Sequence, residues 1–241
     1  TGIGGVNTLF KSLLGHKDFK KLNFSKLKYS SGGGAAIQSV FAESWRTVTG
    51  KTIAEGYGLT EASTVACCNP FDVTEFTGCI GLPLPSTECK IVANNGRPAN
   101  IGEPGELLVR GPQIMQGYWR QPEETAAVLD RDGWLRTGDI ATMHDDGYFK
   151  IVDRKKDLIL VSGFNVYPNE IEDVVVSHSG VVDVAAIGIF DEKTTESVKI
   201  VVVRSNPNLN SGDLIEYCRS RLTGYKMPRH VEFVADLPKS N

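Results

Sequence analysis

Two apolar runs, each ending in a glycine-rich break and separated by one stretch of helical period, restrict the fold of this chain most. Residues 22–31 end in a short strand that Gly32-Gly33-Gly34 interrupts. Ile37, Phe41, Trp45 and Val48 then recur at helical spacing and mark one apolar helix face. Gly50 suits the end of that helix. Thr52-Ile53-Ala54 starts a second strand, which runs into Gly56-Tyr57-Gly58. A strand–helix–strand unit predicts neighbouring parallel strands. In such sheets the ligand loops lie beyond the carboxyl ends of the strands, where both glycine breaks fall. Gly50-Lys51-Thr52 imitates the end of a phosphate-binding P-loop, but that motif needs glycine where this chain has Trp45. It reads as a helix end.

The character changes after residue 80. Residues 88–93, 105–110, 133–137, 140–143 and 148–152 read as short strands, with turns at Asn94-Asn95-Gly96 and Asp145-Asp146-Gly147 and one helix starting near Pro122. The expectation is a small antiparallel, barrel-like subdomain. A third unit follows. Residues 158–161, 181–190, 198–204 and 231–234 read as strands, and residues 168–177 and 211–222 as helices. Pro168 suits the first turn of its helix, and Glu170, Glu172 and Asp173 complement its positive end. The fold class is therefore α/β and α+β in several domains. Residues 1–80 form part of a large α/β domain, residues 81–155 its β-rich subdomain, and residues 156–241 a smaller α+β lid. The boundary is placed on the charge run at residues 153–157.

Composition narrows the function. A chain of 241 residues can bury a core, and its contents of 41% hydrophobic and 23% charged residues are those of a globular protein. A formal net charge of -3 gives no reason to expect nucleic acid as a partner. No apolar run reaches the roughly 18 residues of a membrane span, and no secretory signal opens the sequence. Cys67, Cys68, Cys79, Cys89 and Cys218 show no C-x-x-C spacing, so a reduced, cytoplasmic setting is expected. Cys67-Cys68 reads as two small apolar residues on a strand. His16, His144, His178 and His230 are scattered and give no reason to expect a zinc site.

Three polar clusters carry the chemistry. They are Glu55-Gly56-Tyr57-Gly58-Leu59-Thr60-Glu61, then Arg136-Thr137-Gly138-Asp139, then Asp153-Arg154-Lys155-Lys156-Asp157 running on to Ser162-Gly163-Phe164-Asn165. Gly56 and Gly58 let main chain approach a flat ligand. Tyr57 offers a ring on which a base can lie, Thr60 a hydroxyl for phosphate oxygens, and Glu61 a hard oxygen for Mg²⁺. Asp139 can accept the vicinal hydroxyls of a ribose. Arg154 carries a planar fork that reaches ribose or phosphate. Each cluster alone has a plainer reading: a solvated Glu after a turn, an Asp capping a local N–H, a surface ion pair of Arg154 with Asp153 or Asp157.

The order and wording of the three clusters resemble the adenylate-forming superfamily of acyl-CoA synthetases, luciferases and adenylation domains. Within it the chain looks most like the bacterial long-chain fatty-acid–CoA ligases, from Thr1 to Asn241. The resemblance implies an AMP-forming acid–thiol ligase that uses ATP and Mg²⁺, with a fatty acid and coenzyme A as substrates. A related enzyme with another acyl acceptor, such as a carrier protein, would share its ATP residues. By resemblance Gly33, Gly34 and Ala35 line the adenine pocket and one wall of the acyl pocket, Tyr57 packs on adenine, and Glu55, Gly56 and Gly58 belong to the cofactor-binding loop around it. Thr60 contacts the phosphate and Glu61 the metal. Asp139 and Arg154 hold the ribose, Lys156 is the hinge to the lid, and Gly163 lines the pantetheine channel. A cytoplasmic enzyme, an encounter with the inner membrane face and a homodimer are further options the resemblance raises. It also implies that the family's phosphate loop lies upstream of Thr1. The catalytic lysine would follow Pro238-Lys239-Ser240-Asn241, and Lys239 is not that lysine. The sequence is thus expected to be the C-terminal half of such an enzyme.

Overall fold

The computed structural model describes residues 1–238, so Lys239, Ser240 and Asn241 lie outside the described residues. The chain divides into two compact units, Thr1–Ile151 and Val152–Asn241. The first opens with β1 (Gly2–Gly5), α1 (Asn7–Gly15), β2 (Tyr29–Gly33), α2 (Ser39–Thr49) and β3 (Ile53–Tyr57). β1, β2 and β3 are parallel neighbours, as the strand–helix–strand pattern requires. Two short strands, β4 (Cys67–Cys68) and β5 (Leu82–Pro83), extend this first sheet in antiparallel fashion, giving the order β1-β2-β3-β4-β5.

The helix face is close to the one read from spacing. Trp45 is fully buried, edge-on to Phe10 at 4.8 Å, and its indole Nε1–H donates to Ser30 Oγ at 2.9 Å. That bond satisfies both buried polar groups beneath the helix. Ala42 and Thr49 complete the buried stripe. Gly50 adopts φ +71° and its N–H closes on the Arg46 carbonyl, so Gly50-Lys51-Thr52 is a helix end.

A second sheet follows in the order β6-β7-β8-β9, from β6 (Glu88–Val92), β7 (Gly105–Arg110), β8 (Leu135–Met143) and β9 (Phe149–Arg154), with α3 (Pro122–Val128) between β7 and β8. Two expectations are corrected here. The sheet is an open path with no closed barrel, and residues 133–137 and 140–143 are not separate strands. One strand, β8, runs through both. Its register against β7 shifts between Glu106 and Leu108, opposite the stretch where Gly138 takes φ +72°. A bulge thus absorbs the glycine without ending the pairing. Leu107, Val109, Ala141 and Phe149 build the core under this sheet together with Ala62, Ala66 and Cys67.

The second unit contains β10 (Ile159–Val161), β11 (Phe164–Val166), α4 (Pro168–Val176), β12 (Val181–Asp191), β13 (Thr195–Arg204), α5 (Ser211–Arg219) and β14 (His230–Val234). The sheet runs β11-β10-β13-β12, with β14 paired parallel to β13. The β13–β14 pairing is parallel and the other pairings are antiparallel, so this sheet is mixed. Ile171 and Val175 of α4 and Leu214 and Cys218 of α5 are buried against Ile200 and Val202. Of the polar cluster at residues 162–165, Phe164 and Asn165 lie in β11. Ser162 and Gly163, at φ +51° and +82°, form a two-residue hairpin turn between β10 and β11.

Candidate nucleotide site

The residues that could hold a nucleotide begin at the carboxyl ends of β2 and β3. Gly33 pairs with Gly56 in parallel register, and a Cβ on Gly33 would lie 2.7 Å from the Gly56 carbonyl oxygen. The two glycine breaks are therefore packed on each other. Gly34 needs its glycine for backbone reasons, with φ +81°, and Ala35 beside it is exposed. Gly58 is constrained by the chain itself. A Cβ there would sit 1.5 Å from the Thr64 carbonyl oxygen, so the chain's own backbone fills that space. Gly56 is open by comparison, its nearest atoms 3.6 Å and 3.7 Å away on Cys67 and Cys68.

Tyr57 and Asp139, 82 positions apart, meet directly. The Tyr57 hydroxyl donates to Asp139 Oδ2 at 2.5 Å, joining the first sheet to the second. Burial, and then the neighbouring Asp139 carboxylate, push the Tyr57 phenol well above its usual range, so it stays a protonated donor. The Asp139 backbone is held as well: its N–H donates to Thr137 Oγ1 at 3.1 Å, and Thr137 Oγ1–H donates to the Leu107 carbonyl at 2.8 Å. The result is a ring edge and a carboxylate fixed side by side in half-buried surroundings.

Thr60 and Glu61 follow on a single 3-10 turn, Thr60–Ala62. Thr60 is exposed. Glu61 is oriented by a residue that sequence reasoning did not single out. Tyr118 donates its hydroxyl to Glu61 Oε1 at 2.7 Å, and the Met115 N–H donates to the Glu61 carbonyl at 2.7 Å. That hydrogen bond pushes the Tyr118 phenol upward. Tyr118 lies in the irregular stretch between β7 and α3, where no periodicity marks it.

Glu55 is placed deeper than a ligand contact requires. It is 7% exposed, and its Oε1 accepts the Ile37 N–H at 3.3 Å, while Oε2 has no partner. Burial pushes its carboxyl up to about 7, against smaller opposing effects of the Ile37 bond and Lys150. Its visible task is to hold the main chain that leads from Gly34 into α2.

Arg154, Lys156 and Gly163 belong to the second unit. Arg154 and Lys156 are exposed, and Lys156 lies in the short 3-10 turn Lys155–Asp157. Asp153 is 4% exposed and bonds main chain: Oδ1 accepts the Arg154 N–H at 2.7 Å and Oδ2 the Asn169 N–H at 2.9 Å. Asn169 also donates its side-chain amide to the Val152 carbonyl at 3.1 Å. Asp153 thus caps the first turn of α4 from the strand that precedes Lys156, a link that sequence spacing does not disclose. Gly163 has nothing within 4 Å of a notional Cβ, and the turn alone accounts for it.

Among the described residues no three His, Cys, Asp or Glu side chains gather as a metal cage, and no helix is long and apolar enough to cross a membrane.

The profile of the AMP-binding enzyme family matches residues 1–119, and that of the AMP-binding enzyme C-terminal domain matches residues 170–241. The long-chain-fatty-acid–CoA ligase of Escherichia coli O157:H7 is 54% identical over 241 residues, which is 100% of this chain and 43% of that protein. ATP-bound MatB from Rhodopseudomonas palustris superposes with a TM-score of 0.92 at 33% identity, over 100% of this chain and 48% of MatB. The amide bond synthetase McbA from Marinactinospora thermotolerans gives 0.90 at 33% identity, over 99% and 49%. The chain therefore spans less than half the length of these relatives. With both domain profiles matched in order and the identity running from end to end, the chain belongs to the AMP-binding enzyme family.

Proposed function

We propose that the whole protein activates a long-chain fatty acid with ATP, giving acyl-AMP and pyrophosphate, and then passes the acyl group to the thiol of coenzyme A. The contact between Tyr57 and Asp139 carries this reading at the site, because it sets an aromatic face and a ribose acceptor at one place. The choice of acid and acceptor is supported by the 54% identity to a long-chain-fatty-acid–CoA ligase across the full chain.

In this reading the adenine lies along Tyr57 over the Gly33–Gly34–Ala35 break, and Asp139 takes the ribose hydroxyls. Arg154 reaches ribose or phosphate, and Thr60 contacts the phosphate of the adenylate. A single carboxylate held by Tyr118 suits Mg²⁺, which keeps several waters and binds through one or two carboxylates and substrate phosphates. Glu61 would hold that ion, which neutralises phosphate charge. The protein itself contributes positioning and electrostatic stabilisation of the bound adenylate. Lys156 serves as the hinge of a lid that changes orientation between the two half-reactions, and Gly163 borders the path of the pantetheine arm. The enzyme works in the cytoplasm and meets its substrate at the inner membrane face, where long acyl chains partition.

McbA supports a second reading, in which the same adenylation site serves an acceptor other than coenzyme A. One experiment separates the two. The complete enzyme is given ATP, Mg²⁺ and palmitate, with coenzyme A, a carrier protein or an amine as acceptor, and products are read by mass spectrometry. Palmitoyl-CoA is expected. Acyl-AMP with transfer only to another acceptor overturns the thiol-ligase reading, and absence of acyl-AMP overturns the adenylation reading.

A further inference from the structure

We propose that Cys67 and Cys89 are a modification site: a thiol pair that a peroxide converts reversibly into a disulfide joining the two sheets of the first unit beside Tyr57. The two sulfurs stand 3.6 Å apart, with Cys67 on β4 of the first sheet and Cys89 on β6 of the second. A disulfide needs an S–S distance near 2.05 Å, so an approach of about 1.5 Å closes it. The other sulfurs are engaged elsewhere. Cys68 Sγ–H donates to the Asn69 carbonyl, Cys79 Sγ–H to the Thr77 carbonyl, and Cys218 lies in the core of the second unit.

The pair is asymmetric. Cys67 is fully buried, and its contact with Cys89 and its burial push the thiol far above the ordinary range. Cys89 is half-buried and meets the oxidant first. Its sulfur attacks the peroxide, the O–O bond breaks, and a sulfenic acid and one water form. Cys67 sulfur then attacks the sulfenic sulfur, the S–S bond forms, the S–O bond breaks, and the thiol proton leaves with the oxygen as a second water. Two thiols lose two electrons in total, and one hydrogen peroxide becomes two waters.

The placement ties this pair to the candidate site. Cys67 is the antiparallel partner of Tyr57. The Tyr57–Asp139 bond crosses between the same two sheets, Asp139 standing on β8 and Cys89 on β6 of the second. A covalent bridge here fixes the distance that Tyr57 and Asp139 span. The expected effect on AMP rests on the nucleotide reading above; the bridge itself does not.

The test treats the full chain with hydrogen peroxide, blocks remaining thiols, and maps peptides by mass spectrometry. Titratable thiols in the denatured protein should fall from five to three, with a peptide linked through Cys67 and Cys89, and return to five with dithiothreitol. Cys89→Ser, or Cys89→Ala if serine is not tolerated, should keep all its remaining thiols under the same dose. A bridge through Cys68 or Cys79 overturns the proposal, as does a Cys89 sulfinate with Cys67 still a thiol. So does retention of all five thiols. AMP affinity, measured on the same samples, should change at least threefold on oxidation. A bridge that forms with AMP affinity unchanged overturns the coupling to Tyr57, and failure of the reduced chain to bind AMP counts against the nucleotide reading alone.

Discussion

Replacing Glu55 with glutamine tests the electrostatics of the first unit quantitatively. The Glu55 carboxyl is 7% exposed, and burial raises it from 4.5 to about 7. A carboxyl raised in the folded state binds a proton that the unfolded chain has released, so between those two values stability falls as pH rises. The contribution is complete below about 4.5 and gone above about 7. At about 1.36 kcal/mol per pKa unit, passing from pH 5 to pH 8 costs the first unit about 2.5 kcal/mol through this one group. Glutamine keeps an oxygen for the Ile37 N–H and cannot ionise. The difference in stability between Glu55→Gln and the parent should therefore move in the mutant's favour by about 2.5 kcal/mol between pH 5 and pH 8. Urea unfolding followed by tryptophan fluorescence reads the correct unit, since Trp45, Trp119 and Trp134 all lie within Thr1–Ile151. A shift below about 0.5 kcal/mol, or one in the opposite direction, would falsify the buried-acid account and indicate a carboxylate stabilised by Lys150.

Other perturbations follow from the same geometry. Gly58→Ala must displace the Thr64 carbonyl from 1.5 Å and should cost about 3 kcal/mol or prevent folding, whereas Gly56→Ala should cost about 1 kcal/mol or less; thermal melts of both decide. Asp153→Ala removes the acceptor of the Asn169 N–H at the start of α4 and that of the Arg154 N–H at the end of β9, and should destabilise the second unit by about 1–2 kcal/mol, with comparable melting of Asp153→Ala and wild type counting against the cap. Lys156→Pro in the complete enzyme fixes φ near about −65° at the proposed hinge and should separate the half-reactions, leaving acyl-AMP formation while transfer to coenzyme A from pre-made acyl-AMP collapses. Parallel retention of both steps in a folded mutant refutes the hinge.

The sequence disclosed the parallel β2–α2–β3 unit because period and punctuation agree there: Trp45 at the centre of the apolar face, Gly50 at its end, a glycine break after each strand. It disclosed Tyr57 and Asp139 as candidates, but not their contact, because the two stand 82 positions apart and no local rule spans that separation. Strand β8 was split at Gly138 because a glycine in a strand reads as a break, whereas pairing with β7 carries the chain through. Tyr118 and Asp153 were missed for related reasons. Each acts on a partner far along the chain, Glu61 and Asn169, and a tyrosine in a loop or an aspartate in a charge run has no distinguishing pattern. Glycines were the least legible, since Gly58 accommodates the chain's own carbonyl and Gly163 a turn.

In the proposed site Asp139 holds the ribose of a nucleotide beside Tyr57. The most direct measurement is a calorimetric cycle on the complete enzyme, titrating a non-hydrolysable acyl-adenylate analogue and its 2′,3′-dideoxy form into wild type and Asp139→Ala. Removing either partner of hydrogen bonds to a charged group should cost about 1.5–3 kcal/mol, a loss of roughly 10- to 150-fold in affinity. The two losses should not add, because the deoxy analogue and the alanine variant delete the same contacts. Full additivity, with both proteins folded and the dideoxy analogue still penalised in Asp139→Ala as in wild type, would contradict it.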